Sequence, residues 1–154
     1  MARLEAGQAA PDFSLQADDG STVDLASLSG TTVALYFYPK DDTAGCTTQA
    51  CEFRDMRADY DAAGVRVIGV SPDPLKSHLK FRDKHELPFT LLSDPEHVAA
   101  EAYGVWVEKS MYGRTYMGIE RSTFVIGPDG VVVAALYKVK PKGHAASILE
   151  LAGR

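Results

Sequence analysis

Apolar residues fall along this chain in two rhythms. Val33-Ala-Leu-Tyr-Phe-Tyr38 is an unbroken apolar run, the pattern of a strand buried on both faces of a parallel sheet. Asp12-Phe-Ser-Leu-Gln16 and Thr22-Val-Asp-Leu25 alternate instead, and the Asp19-Gly20 pair between them predicts a hairpin. Helical spacing predicts helices over about 44–63, 74–85, 96–103 and 142–151. Further strands are expected at 65–70 and 89–92, and a second hairpin joins 122–126 to 131–138 around Pro128-Asp129-Gly130. Strands that alternate with helices, followed by a hairpin and a closing helix, predict an α/β protein with a mixed central sheet flanked by helices. No repeat, low-complexity tract or linker interrupts the pattern, so residues 1–154 read as one domain.

The helix expected after Val33–Tyr38 has a face that can be calculated. At about 100° per residue, Phe53, Met56, Tyr60 and Ala63 gather on the side that must pack against the sheet. Cys46 projects within about 20° of Phe53, at the rim of that side, and Cys51 lies about 140° round from Cys46. In an intact helix their Cα atoms are roughly 8.6 Å apart, whereas a disulfide tolerates about 6.8 Å at most. The only two cysteines of the chain therefore cannot join unless the first helical turn unwinds. That excludes a static structural bridge.

Composition narrows the function. Among 154 residues, 45% are hydrophobic and 24% charged, ordinary for a globular protein able to bury a core. Sixteen basic against 21 acidic residues give a net charge of −5, which disfavours nucleic acid and anionic membranes as partners. Apolar runs reach six or seven residues, against the roughly 20 of a membrane-spanning helix. The segment from Met1 to Gln8 lacks the apolar centre of a signal peptide, so a cytoplasmic protein is expected, where a disulfide belongs to a catalytic cycle.

Pro39 breaks the strand run, and the chain restarts as a helix with Cys46 in its first turn. Unpaired N–H groups and the positive end of the helix dipole favour a thiolate at such a position. A lone cysteine is more often a small buried apolar residue, but proline, threonine and a second cysteine at these spacings argue for reactivity.

The segment from Tyr36 to Asp55, with Pro39, Thr43 and Cys46 in a Pro-x3-Thr-x2-Cys pattern, closely resembles the active site of peroxiredoxins, and within them the peroxiredoxin Q or bacterioferritin comigratory group. The block Tyr116–Ile126 resembles the strand on which that family carries its active-site arginine, here Arg121. The likeness runs from about Gly7 to Leu151, with one departure: Ala44 stands where many members have a second proline, which should loosen the start of the helix. The resemblance implies a thioredoxin-like fold with an added N-terminal β-hairpin. It also implies a cofactor-free peroxidase in which Cys46 attacks the peroxide and Cys51 resolves the sulfenic acid as an intramolecular disulfide. Thioredoxin or glutaredoxin would act as reductant, on a monomer.

The residues supply reasons for such a site. A free thiol of pKa about 8.5 is only about 3% ionised at pH 7, so full ionisation gains about 30-fold, or about 2 kcal/mol. That is too little, and the departing oxygen must be stabilised as well. The Thr43 hydroxyl, the Cys46 amide and Arg121 are the candidate donors, and the rigid fork of arginine can hold sulfur and peroxide together. Pro39 lacks an N–H and shields the sulfur. Asp41 and Asp42 oppose an anion, so the positive charge must come from a distant segment. Thr43 also suits an N-cap, and Gln49, one turn from Cys46, is placed to orient Arg121.

Other readings fit less well. Cys-x4-Cys with His78, His85, His97 and His144 scattered beyond it gives no zinc pattern, and His78 and His85 share a helix face as surface histidines would. Gly69-Val-Ser71-Pro-Asp73 lacks the closing glycine of a nucleophile elbow, Gly113–Gly118 lacks a phosphate-loop lysine, and Trp106, Tyr112 and Tyr116 suit wall or loop packing. A thiol–disulfide oxidoreductase would want Cys-x-x-Cys. A non-enzymatic redox sensor or holdase would use the same two cysteines without catalytic turnover of peroxide.

Overall fold

The structure, a computed structural model, describes residues 3–152. The chain runs β1 (Ser14–Ala17), β2 (Thr22–Asp24), a short 3-10 turn (Ala26–Leu28), β3 (Thr32–Phe37), α1 (Ala44–Asp55), α2 (Arg57–Ala63) and β4 (Val65–Ser71). It continues with α3 (Leu75–His85), β5 (Thr90–Ser93), α4 (Val98–Ala102), β6 (Trp106–Met111), β7 (Arg114–Ile119), β8 (Ser122–Ile126), β9 (Val132–Leu136) and α5 (His144–Ala152). Seven strands form one sheet in the order β2-β1-β5-β4-β3-β8-β9, with β3, β4 and β5 parallel and the other pairs antiparallel. This is the expected thioredoxin-like α/β architecture, with the N-terminal hairpin paired onto β5 as an extra edge.

Strand β3 lies at the centre, and its pleat explains the two cores. Val33, Leu35 and Phe37 point into one layer with Phe13, Tyr103 and Phe124. Ala34, Tyr36 and Tyr38 point into the other with Cys46, Phe53, Tyr60, Phe81 and Ile148, under α1, α2, α3 and α5. A strand that serves both layers needs apolar side chains at every position, which is why its sequence does not alternate.

Two expectations are corrected. The helix predicted over 44–63 is broken at Met56, whose φ of −98° and ψ of 14° leave the helical range, so α1 and α2 are separate. Phe53 and Tyr60 still face the core, but Ala63 is exposed. The hairpin of β6 and β7 was not anticipated: it turns through Tyr112 and Gly113, both at positive φ (52° and 77°), the geometry of a two-residue hairpin turn. Tyr112 is 98% exposed, so it packs on nothing, while Trp106 stacks on His97 with centroids 3.6 Å apart. Among the described residues no helix is long and apolar enough to cross a membrane.

Candidate active site

Strand β3 delivers the chain to Pro39, and α1 starts five residues later beneath the same sheet. Thr43 occupies the N-cap position in extended conformation, but its side chain caps nothing; the hydroxyl donates to the Lys40 carbonyl at 2.9 Å. The first helical hydrogen bond runs from the Thr47 N–H to the Thr43 carbonyl at 2.8 Å, so the amides of Ala44, Gly45 and Cys46 lie ahead of the ladder. Cys46 is 1% exposed, in the cluster that holds Tyr36, Ala50 and Phe53.

Arg121 reaches this helix from the link between β7 and β8, just before the strand rather than on it. One guanidinium nitrogen donates to the Cys46 sulfur at 3.3 Å and the other to Gln49 Oε1 at 2.6 Å. The group lies across Gly45, where a Cβ would stand 3.2 Å from Arg121 Nη2 and 3.2 Å from Pro141 Cγ, so a side chain there would crowd both. Gln49 is fully buried, with its carbonyl held by Arg121. Its amide nitrogen and the Tyr36 hydroxyl are buried polar atoms with no hydrogen-bond partner among the described residues.

The acidic groups around the sulfur are each engaged elsewhere. Asp41 lies 2.7 Å from His78 Nδ1 and accepts from Ser77 (2.8 Å) and the Tyr38 hydroxyl (2.5 Å). Asp42 meets Lys84 at 2.8 Å and His85 at 3.1 Å, and the Lys84 hydrogen bond is the leading cause holding its carboxyl below the ordinary range. Glu120, next to Arg121, turns to Arg3 through contacts of 2.9 and 2.7 Å, and the Arg3 hydrogen bond holds its carboxyl low. Glu52 accepts from the Gly143 amide, at 2.8 Å to one oxygen and 3.1 Å to the other, just ahead of α5. Arg121 is thus left to sulfur and Gln49. That resolves the opposition expected from Asp41 and Asp42, and the face shared by His78 and His85 is the one that meets them.

Cys51 is half-buried on the same unbroken helix, and both cysteines are free. Downstream of it the helix is fastened by Phe53, whose ring stacks on Tyr36 with centroids 4.9 Å apart and meets Tyr60, Phe89 and His144 edge-on. Arg54 adds a 2.7 Å bond to the His85 carbonyl.

Arg121 therefore meets Cys46 and Gln49, while Pro39 and Thr43 lie in the segment that leads into α1 and Cys51 sits five residues beyond Cys46 on the same helix. Three further groups escaped the sequence reading. His78 is not a surface histidine: it is 0% exposed. Lys109, on the unanticipated hairpin, is held below its usual pKa by burial and then by the charge of Arg121. His144, hydrogen-bonded to Thr123 at 2.6 Å, is lowered to about 4 by burial and then by Arg121.

Comparison with known proteins agrees with this geometry. The model of the AhpC/TSA family matches residues 6–135. Peroxiredoxin Bcp of Bacillus subtilis is 50% identical over 147 residues, covering 96% of this chain and 94% of that protein. Xanthomonas campestris peroxiredoxin Q superposes with a TM-score of 0.90 at 40% identity over 97% of both chains. A structure of the bacterioferritin comigratory protein of the same organism, described for its alkyl peroxide reduction activity, superposes with a TM-score of 0.90 at 39% identity, covering 96% of this chain and 97% of that one. With a thiol, an arginine and a helix start gathered at one point, and relatives matched almost end to end, the chain belongs to the AhpC/TSA family, within its peroxiredoxin Q/Bcp group.

Proposed function

We propose that this thiol peroxidase, a single domain, works through Cys46 as the attacking residue and Cys51 as the resolving one. The Cys46 thiolate attacks one peroxide oxygen, the O–O bond breaks, and the electron pair leaves on the other oxygen, which takes a proton to become water or an alcohol. Sulfur is oxidised to a sulfenic acid. Arg121 and the amides at the start of α1 face the developing anion. Because the Thr43 hydroxyl already donates to Lys40, it serves the peroxide as an acceptor, orienting the O–H of the attacked oxygen. Pro39 screens the sulfur, and Gln49 fixes the plane of the guanidinium.

Cys51 then attacks the Cys46 sulfur; the S–S bond forms and the S–O bond breaks, releasing water. Its Cα lies roughly 8.6 Å away in an intact helix, so the first turn of α1 must unwind. Two thiol–disulfide exchanges with a dithiol protein of the thioredoxin or glutaredoxin type return the enzyme. Hydrogen peroxide and organic hydroperoxides are the substrates, the latter in keeping with the activity named for the Xanthomonas protein. A cytoplasmic monomer completes the reading.

The observation that carries it is the 3.3 Å contact between Arg121 and the Cys46 sulfur at the uncapped start of a helix. Intact mass after one equivalent of peroxide tests it. The wild type should lose two mass units, Cys51→Ser should gain about 16, and Cys46→Ser should not react. Catalytic peroxide consumption by Cys46→Ser refutes the assignment, and undiminished thioredoxin-linked turnover by Cys51→Ser removes Cys51 from the cycle.

A further inference from the structure

We infer that His78 is a positioning residue for the peroxide reaction: its imidazolium, sealed between the Asp41 carboxylate and the Leu92 carbonyl, fixes the turn that carries Thr43 and the start of α1. The inference rests on the Cys46 assignment above. His78 Nε2 lies 2.8 Å from the Leu92 carbonyl oxygen, which can only accept, so Nε2 carries a hydrogen. Nδ1 lies 2.7 Å from Asp41 Oδ2, an oxygen that also receives the Ser77 hydroxyl, while Oδ1 receives Tyr38. An ionised Asp41 accepts all three donors, and Nδ1 must then be protonated too. With the carboxylate so arranged, the ring is a cation.

A neutral ring beside the Asp41 carboxylate would set a nitrogen lone pair against an oxygen lone pair. The two side chains are only 0% and 3% exposed, so water cannot relieve that conflict. The turn is held by its backbone as well: the Asp41 N–H donates to Asp73 Oδ2 at 2.8 Å, and Asp73 is fixed by the Ser71 hydroxyl at 2.6 Å. Asp41 stands two residues before Thr43 and five before Cys46. With its side chain and amide both gripped, the turn cannot drift, and the orientation of the Thr43 hydroxyl follows.

The groups facing the ring come from several elements. Asp41 and Asp73 bring carboxyl groups; Tyr38 and Ser77 bring hydroxyls and Leu92 its carbonyl; Lys84 and His85, one to two turns along α3, are turned to Asp42. Burial opposes the charge on His78, but the hydrogen bond and charge of Asp41 outweigh it and hold the imidazole above its ordinary value. A cleft of about 270 Å³ lined by Asp41, Asp42, Ser77, Lys80, Phe81 and Lys84 lies beside the network, and His78 is not among its lining residues. Asp41, Asp73 and His78 do bring ligand-type atoms within 4.8 Å of one another, yet an imidazolium has no lone pair to offer a cation. As pH rises through the folded-state pKa of His78, the charge is lost and the turn loosens; below about 6.5 its hold is complete.

Two measurements on the reduced, full-length protein test this. Side-chain 15N shifts of His78 should show both ring nitrogens protonated at pH 7 and titration above the ordinary histidine range. The second-order rate of peroxide reaction at Cys46 should fall as pH passes through that same value. In His78→Asn, which keeps a neutral donor, the fall should vanish, and His78→Ala should be slower by about 10²-fold, the scale of a misplacement near 1 Å. A neutral His78 at pH 7, an unchanged alkaline fall in His78→Asn, or a folded His78→Ala within twofold of wild type overturns the inference. If His78→Ala does not fold, the shifts and the Asn variant still decide. Wild-type protein that fails to oxidise at Cys46 would sink the peroxidase assignment instead, leaving the charge on His78 measurable.

Discussion

Gly45→Ala tests the two halves of the catalytic cycle at once. The added methyl would stand 3.2 Å from both Arg121 Nη2 and Pro141 Cγ, where ordinary contacts begin at 3.4 Å. The 2.6 Å bond to Gln49 resists sideways motion of the guanidinium, so Arg121 retreats from sulfur by a few tenths of an ångström. If a displacement near 1 Å costs about 10²-fold, one of about 0.3 Å costs about fourfold in the peroxide step. The same methyl favours helix over coil by up to about 1 kcal/mol, which lowers the unwound population about fivefold and slows closure of the disulfide to match. Rapid-quench mass spectrometry after a single equivalent of peroxide resolves both steps. Sulfenate should form about four times more slowly than in wild type and persist about five times longer. A variant whose sulfenate decays at the wild-type rate would show that the first turn of α1 need not unwind.

Further expectations concern charge, protonation and motion. In Arg121→Lys one ammonium cannot replace donors that span Gln49 and the sulfur, so peroxide turnover should fall by about 10²- to 10³-fold despite the retained charge; wild-type steady-state rates would remove Arg121 from the site. His144, lowered to about 4 by burial and by Arg121, binds a proton in the unfolded chain before the folded one. Stability should therefore fall by about 2–3 kcal/mol as pH drops from about 6.5 to about 4, measured by denaturant unfolding, and a His144→Gln profile equally steep there would contradict it. Amide exchange should rise on oxidation within residues 44–56 and stay slow in the central strands β3 and β4; equal protection of 44–56 in both redox states would refute local unwinding.

Much of this molecule is legible because its signals are local. The unbroken run Val33–Tyr38 declares a strand buried on both faces, and Pro39, Thr43 and Cys46 lie within eight residues of one another. The β6–β7 hairpin was illegible because its large apolar residues Met111, Tyr112, Tyr116 and Met117 face outward, so no burial pattern marks it. Only its turn, with Gly113 between two short strands, left a trace. Pairings across the fold were hidden for a different reason. Asp41 meets His78 from 37 positions away, and Arg121 meets Gln49 from 72, distances over which composition and periodicity carry no register. The break at Met56 interrupts an apolar spacing that continues through it to Tyr60, so periodicity alone joins two helices that the backbone separates.

In the proposed cycle, that break and the Phe53 anchor bear on how the enzyme resets. Starting a helix is the improbable step, because several residues must be fixed before a single bond is gained, while extending one is downhill or nearly so. In the proposed cycle Phe53 stays clamped by its aromatic neighbours while the turns above it melt, so the C-terminal end of α1 stays in place against the core. Rewinding after reduction must form a first turn again, and helix formation including that step takes about 0.1–1 μs. Against typical enzyme turnover of about 1 to 10³ per second that is short, so rewinding does not set the pace of the proposed cycle.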